Sequence, residues 1–267
     1  MANMSQQAIY KFASLFIHRR IPFATIYGNH DDEGSLSRVA QMSLTESLPY
    51  SLSQAGPATV SGTGNYYVEI LAPGTSTHSA VTIYLLDTHS YSPDERRFKG
   101  YDWLKPDQIK WFRESARKNK QKHKSYSKIH LDMAFIHIPL PEYADKNNKI
   151  LGNWREGVTA PGFNSHFRDA LVEEGVSVVS CGHDHVNDYC ALSQGEESKK
   201  PELWMCYAGG SGFGGYGGYG GYHRRLRVFE IDTNEAKITS WKRVEYGETE
   251  KRIDEQTLVD AGRVVDL

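Results

Sequence analysis

Gly28-Asn29-His30-Asp31 and Gly182-His183-Asp184-His185 each close an apolar, strand-like run, and His137-Ile138-Pro139 closes a third between them. No other feature constrains the chain as much. The runs are Phe23-Ala24-Thr25-Ile26-Tyr27, Met133-Ala134-Phe135-Ile136 and Val176 to Ser180. In open α/β sheets, sites form beyond the carboxyl ends of the strands. Three strand ends can therefore deliver polar side chains to one edge. His183 and His185 flank a single residue, so in extended backbone both point the same way. An amide oxygen and several imidazoles are donors that suit Fe, Mn or Zn.

The surrounding pattern agrees with an α/β layer fold. Ile9, Phe12, Ala13, Phe16 and Ile17 form one apolar helical face. Arg19 and Arg20 suit its C-terminal end, and Pro22 stops it. The spacing predicts strands at Tyr66 to Leu71, Val81 to Asp87, Met133 to Ile138, Val176 to Ser180, Leu203 to Tyr207, Leu226 to Ile231 and Lys237 to Val244. It predicts helices over Pro106 to Arg117 and from an Asn164 cap through Glu174, closed by Gly175. Helix and strand alternate around every motif with no boundary, so residues 1–267 read as one domain.

Composition narrows the partners. With 267 residues and 39% hydrophobic side chains, the chain can build a proper core. A formal charge of −2 points to neither nucleic acid nor a membrane surface, and no apolar run approaches a membrane span. The opening residues do not read as a secretory signal, and localisation stays open, with the cytoplasm favoured for the chain as written. Cys181, Cys190 and Cys206 are an odd set without a CxxC and read as buried or reduced thiols. A cross-strand pairing of Cys190 with Cys206 stays open at this stage. Arg117 to Lys128 carries six Lys/Arg and no acid, and reads as a solvated helix end and loop. The Gly/Tyr-rich stretch Gly209 to Tyr222 reads as a long loop near the site, with nucleic-acid contact as the second reading.

Hydrolysing a phosphate ester needs a strong nucleophile at neutral pH and relief of charge on the phosphoryl oxygens. Two metals roughly 3.5–4 Å apart supply both. Gly28-Asn29-His30-Asp31, His137 and Gly182-His183-Asp184-His185 together resemble the later motifs of the calcineurin-like metallophosphoesterases. His137 to Tyr143, Gly182 to Cys190, Tyr84 to Ser92 and the Gly-rich stretch resemble more narrowly a fungal branch related to short plant purple acid phosphatases. The resemblance covers nearly all of the chain. It implies a metallophosphoesterase-like sheet sandwich flanked by helices and a site for two divalent or trivalent ions (Fe, Mn or Zn). By the same resemblance Asn29, His137 and His183 ligate one ion and His185 the other. His30 is the acid that protonates the leaving oxygen, and Asp31 holds the His30 imidazole protonated. No substrate-binding residue is assigned.

The chain also departs from that pattern. The family begins with Asp-x-His and Gly-Asp-x-x-Asp, both upstream of Gly-Asn-His. No Gly-Asp dipeptide occurs here, and the residues before Gly28 contain no Asp. Asp87-Thr88-His89 follows Gly-Asn-His and reads as a loop near the site, with a substitute ligand pair as the lesser reading. The expectation is a sandwich without its N-terminal strands, holding at most one ion well. Function then divides between an impaired phosphatase acting on phosphomonoesters or phosphoproteins and a catalytically inactive relative or fragment. An RNA binder using the Gly/Tyr tract is the third reading.

Overall fold

The computed structural model describes residues 4–74, 77–125, 128–212 and 222–267. In chain order the elements are α1 (Met4–Arg19), α2 (Arg38–Glu46), β1 (Tyr66–Leu71), β2 (Ser79–Leu85), α3 (Pro106–His123), β3 (Leu131–Phe135), β4 (Lys149–Leu151) and α4 (Phe167–Glu173). They continue as β5 (Val178–Cys181), β6 (Cys190–Gln194), β7 (Pro201–Tyr207), β8 (Arg225–Asp232), β9 (Lys237–Val244), β10 (Ile253–Asp260) and β11 (Arg263–Val264).

Alternation in the central strands sets the layering. Successive side chains of a strand face opposite ways. Met133, Val178 and Cys206 point into a core shared with Ile238, Leu258 and Val259 of β9 and β10. Their neighbours Ala134, Val179 and Met205 point into a core shared with Phe112 and Ala116 of α3 and Phe167 and Leu171 of α4. Both faces are thus apolar, as expected of strands covered on two sides. A seven-stranded sheet in the order β1-β2-β3-β5-β7-β6-β4 lies between the helices and a four-stranded sheet in the order β11-β10-β9-β8. β2, β3, β5 and β7 run parallel, while β1, β6 and β4 join antiparallel. This is the α/β sandwich flanked by helices expected from the sequence.

Several expectations need correction. Phe23 to Tyr27 is extended but forms no ladder; its one bridge is Phe23 with Ser51. The Phe23 backbone bonds to Tyr50 and Leu52, and side chains take up the backbone groups of Thr25. The Thr25 amide donates to Ser53 Oγ and the Tyr66 hydroxyl, and that hydroxyl donates to the Thr25 carbonyl. The cap of α4 is His166, in the left-handed region at φ 58°; Asn164 sits two residues outside and accepts from the His166 amide. Cys190 and Cys206 are register partners on β6 and β7 and form a disulfide, while Cys181 is a buried free thiol. Adjacent antiparallel positions facing one core make that pairing available, which sequence spacing could not decide.

The basic stretch begins on α3, where Lys122 pairs with Glu69 and Arg117 with Glu174. Residues 126–127 within it, and 213–221 of the Gly/Tyr stretch, lie outside the described residues. Among the described residues no helix is long and apolar enough to cross a membrane.

Candidate metal centre

β3 and β5 are parallel neighbours, with Phe135 in register with Ser180. His137 and His183 each follow their strand by two residues, so both emerge at the same carboxyl edge. The Gly182 amide donates to the His137 carbonyl at 3.1 Å and ties the two exits together. His183 has φ 73°, and Asp184 N donates to Gly182 O at 2.9 Å, which closes a tight turn. A non-glycine residue at such an angle is strained, and such strain concentrates at functional sites.

The Asn29 loop reaches this edge from the far side of the chain. Gly28 allows the approach: a Cβ there would lie 2.9 Å from His137 Cε1. Arg38, on α2, clamps the loop from behind. Its guanidinium donates to Gly28 O and His89 O and pairs with Asp32 and Asp87. Ser90 Oγ donates to the Asn29 carbonyl at 2.7 Å. The loop after β2 is therefore close to the site, yet Asp87 and His89 are occupied elsewhere. Asp87 holds Arg38, Thr63 N and His89 N, and His89 Nε2 meets Gln108 Oε1. They are not a substitute ligand pair.

Three donor atoms converge. His137 Nε2 and His183 Nδ1 each lie 3.0 Å from Asn29 Oδ1, and 3.3 Å from each other. Each ring can donate an N–H to the amide oxygen or, in the other tautomer, direct a lone pair to a cation. Asn29 Nδ2 and His183 Nε2 are buried with no hydrogen-bond partner among the described residues. Burial and the neighbouring His183 push the His137 imidazole down to about 3. Burial, with His185 and His30 nearby, pushes His183 down to about 4. Both rings are neutral near pH 7, the form a metal requires.

Asn29, His30, Asp31, His137, His183 and His185 all line one cleft of about 490 Å³, with Tyr101, Glu156, Thr159 and Asp184. Tyr101 packs edge-on to His183, with ring centroids 4.2 Å apart. The carboxylate on His30 is not Asp31, as expected, but Glu33, whose Oε1 lies 2.8 Å from His30 Nδ1. Asp31 folds back to accept from Gly28 N at 2.5 Å. The 3-10 turn Asp31–Glu33 explains the exchange, because it brings the residue three positions on beneath the ring. Tyr91 donates to the same Glu33 oxygen, and these bonds hold the Glu33 carboxyl below its ordinary range. An i,i+3 His/Glu spacing was the signal for Glu33; Glu156, in an irregular loop, had none.

The donor set fits one ion: two imidazole nitrogens and one carbonyl oxygen at mutual distances compatible with a common ligand sphere. The triad would hold one of the two ions that the resemblance implies. Among the described residues no group of three or more His, Cys, Asp or Glu is arranged to hold a metal, and Asn29 is the third member of the triad.

Two parallel strands bring His137 and His183 to one edge of an α/β sandwich, and the loop after Tyr27 brings Asn29 to meet them. The family profile for calcineurin-like phosphoesterases matches residues 3–187, and the chain belongs to that family. It is 40% identical over 96% of its length to Phosphatase DCR2 of Saccharomyces cerevisiae, of which the match covers 45%. It is 35% identical over 91% of its length to both Probable inactive purple acid phosphatase 14 and 29 of Arabidopsis thaliana, covering 63% and 64% of them. The chain thus spans roughly half to two-thirds of the curated relatives it matches.

Proposed function

We propose that this chain carries a metal-dependent phosphoesterase unit for phosphomonoesters, borne by small molecules or proteins. The approach of Asn29 Oδ1, His137 Nε2 and His183 Nδ1 supports this reading most directly. These three residues would hold one Fe, Mn or Zn ion, and His185 would face a second, less well held. A bound ion supplies Lewis-acid charge relief on the phosphoryl oxygens and an activated water. His30 is exposed at the cleft mouth, oriented through Nδ1 by Glu33, and donates a proton to the leaving oxygen. Asp31 fixes the Gly28 amide and so the course of the loop that carries Asn29 and His30. The reading takes residues 1–267 as one unit, since β9 and β10 complete the core beneath the site-bearing strands.

Turnover of an aryl phosphate by the purified chain, with and without added Mn, tests it. Metal-dependent turnover that falls about a hundredfold or more in His30→Ala is expected for loss of a proton donor. Turnover that ignores metal and His30 would refute it.

The second reading is an inactive family member that binds an ion without turning over ester. The absence of a carboxylate from the converging triad favours it. A tight ion with no detectable turnover under any metal would select this reading.

A further inference from the structure

The His30 ring is harder to hold in place than the rings of the triad. The His30 and Glu33 side chains are 55% and 54% exposed. An exposed pair contributes little, because water and side-chain entropy compete with it. The bond from Nδ1 to Glu33 alone therefore leaves the ring loosely oriented, and proton transfer depends on orientation.

Tyr91 adds a second restraint. Its hydroxyl donates to Glu33 Oε1 at 2.9 Å, the same oxygen that lies 2.8 Å from His30 Nδ1. Two partners on one oxygen fix the carboxylate, and the fixed carboxylate fixes the ring. Tyr91 is itself anchored by backbone. It faces Tyr101 in an antiparallel bridge, flanked by bonds from Ser92 N to Gly100 O at 2.9 Å and from Asp102 N to Ser90 O at 3.0 Å. The Tyr91 and Tyr101 rings stack, with centroids 5.8 Å apart. Tyr91 stands edge-on to His30 at 6.3 Å, and Tyr101 edge-on to His183 at 4.2 Å. Ser90, the neighbour of Tyr91, grips the Asn29 carbonyl. One short hairpin thus holds the His30 ring, the backbone beside it and a member of the triad, and so sets the spacing between them.

With Nδ1 committed to Glu33, Nε2 is the ring nitrogen left for the ester. We propose that Tyr91 is a positioning residue for the His30 acid, acting through Glu33 and braced by Tyr101. This rests on the phosphoesterase reading. In the step it serves, a water oxygen forms the new bond to phosphorus. The old P–O bond breaks and leaves its electron pair on the leaving oxygen, which takes the proton from His30 Nε2. The proton lost by the water restores His30. Tyr91 affects this transfer only through the orientation of the ring.

The experiment compares wild type, Tyr91→Phe, Glu33→Gln and the double variant, each loaded with Mn(II), on two esters. Dinitrophenyl phosphate has a leaving oxygen that needs no proton; an alkyl phosphate has one that does. Phenylalanine keeps the stack on Tyr101, so the hairpin persists. In Tyr91→Phe the ratio of kcat for the alkyl ester to that for the aryl ester should fall about tenfold, part of what a proton donor contributes, with KM little changed. The double variant should fall no further than Glu33→Gln, because the two residues act in one chain of bonds. A second readout needs no turnover. Nitrogen NMR of the histidine rings in the metal-free chain at about pH 8, where imidazoles are neutral, should show His30 as one tautomer protonated at Nδ1. Its signal is identified by its loss in His30→Ala, and Tyr91→Phe should show a mixture of tautomers. An unchanged ester ratio, or the same tautomer population in both proteins, overturns the proposal and leaves the phosphoesterase reading standing. Hydrolysis of neither ester by the wild type refutes that reading, and the proposal with it.

Discussion

Lys242 Nζ lies 2.7 Å from Asp188 Oδ1, and neither side chain has any exposure to solvent. Asp188 follows His185 by three residues, so this ion pair joins the turn that bears two site histidines to β9 of the second sheet. Arg225 NH1 and the Tyr222 hydroxyl meet the other carboxylate oxygen, at 2.8 and 2.7 Å. Burial raises the Asp188 carboxyl, but Lys242 and the hydrogen bonds outweigh it and hold the group below its ordinary range. The four-stranded sheet thus positions the site as well as closing the core.

Removing Asp188 takes away one of the two carboxylates on the buried Lys242 ammonium, which also pairs with Asp254, and the partner of Arg225. Asp188→Ala should lose about 3–5 kcal/mol of stability by denaturant titration. Asp188→Ala combined with Lys242→Met should recover part of that loss, because the buried ammonium goes too and only the part-exposed Asp254 is left without it. A loss under about 1 kcal/mol in the single variant would contradict the anchoring role.

The disulfide gives a second expectation. Cys190 and Cys206 are 16 residues apart and join β6 to β7, so reduction should cost about 3 kcal/mol by loop-closure entropy. Thermal unfolding with and without reductant measures it. Thiol titration of the unfolded chain should find one reactive group before reduction and all three cysteines after it. Three thiols before reduction would mean that the bond does not form.

The pH profile follows from the two site histidines. His137 and His183 lie at about 3 and about 4 in the folded chain, against about 6.5 when unfolded. Both are depressed, so between those values the unfolded chain binds more protons than the folded one. Stability contributed by the neutral rings is complete above about pH 6.5 and is lost as pH falls towards 3–4. The melting temperature should drop between pH 7 and 5, and the slope should flatten in His137→Ala/His183→Ala. An equal slope in that variant would show that other groups govern acid unfolding.

Much of this was legible in the sequence because apolar periodicity and the site coincide. β1 and β9 occupy the predicted residues, and the strands before His137 and Gly182 end near the predicted positions. α2 was not visible because its pattern is inverted. Its buried residues are Arg38, Gln41, Met42 and Thr45, and Arg38 and Gln41 face inward to bond the Gly28–Asp31 loop and its surroundings. Phe23 to Tyr27 looked like a strand by composition, but ladder pairing depends on neighbours that composition does not contain. The convergence of Asn29, His137 and His183 was anticipated from strand ends, whereas Glu33, Arg38 and Glu156 depend on turns and loop packing that carry no period.

Close approach at Gly28 makes a sharper test of the triad's geometry. A methyl group there would press on the His137 ring at 2.9 Å. Gly28→Ala should weaken metal binding while costing about 1–3 kcal/mol of stability, the usual range for overpacking. Unchanged metal affinity would mean that the His137 ring position does not matter to the site.

The most direct measurement is the metal content of the purified chain after loading with Mn(II) and desalting, for wild type and His137→Ala. Three protein ligands completed by water should retain about one ion per chain in the wild type, and loss of one ligand should bring this close to zero. Equal retention in the two proteins, or none in either, would contradict the assignment of Asn29, His137 and His183 as a metal centre.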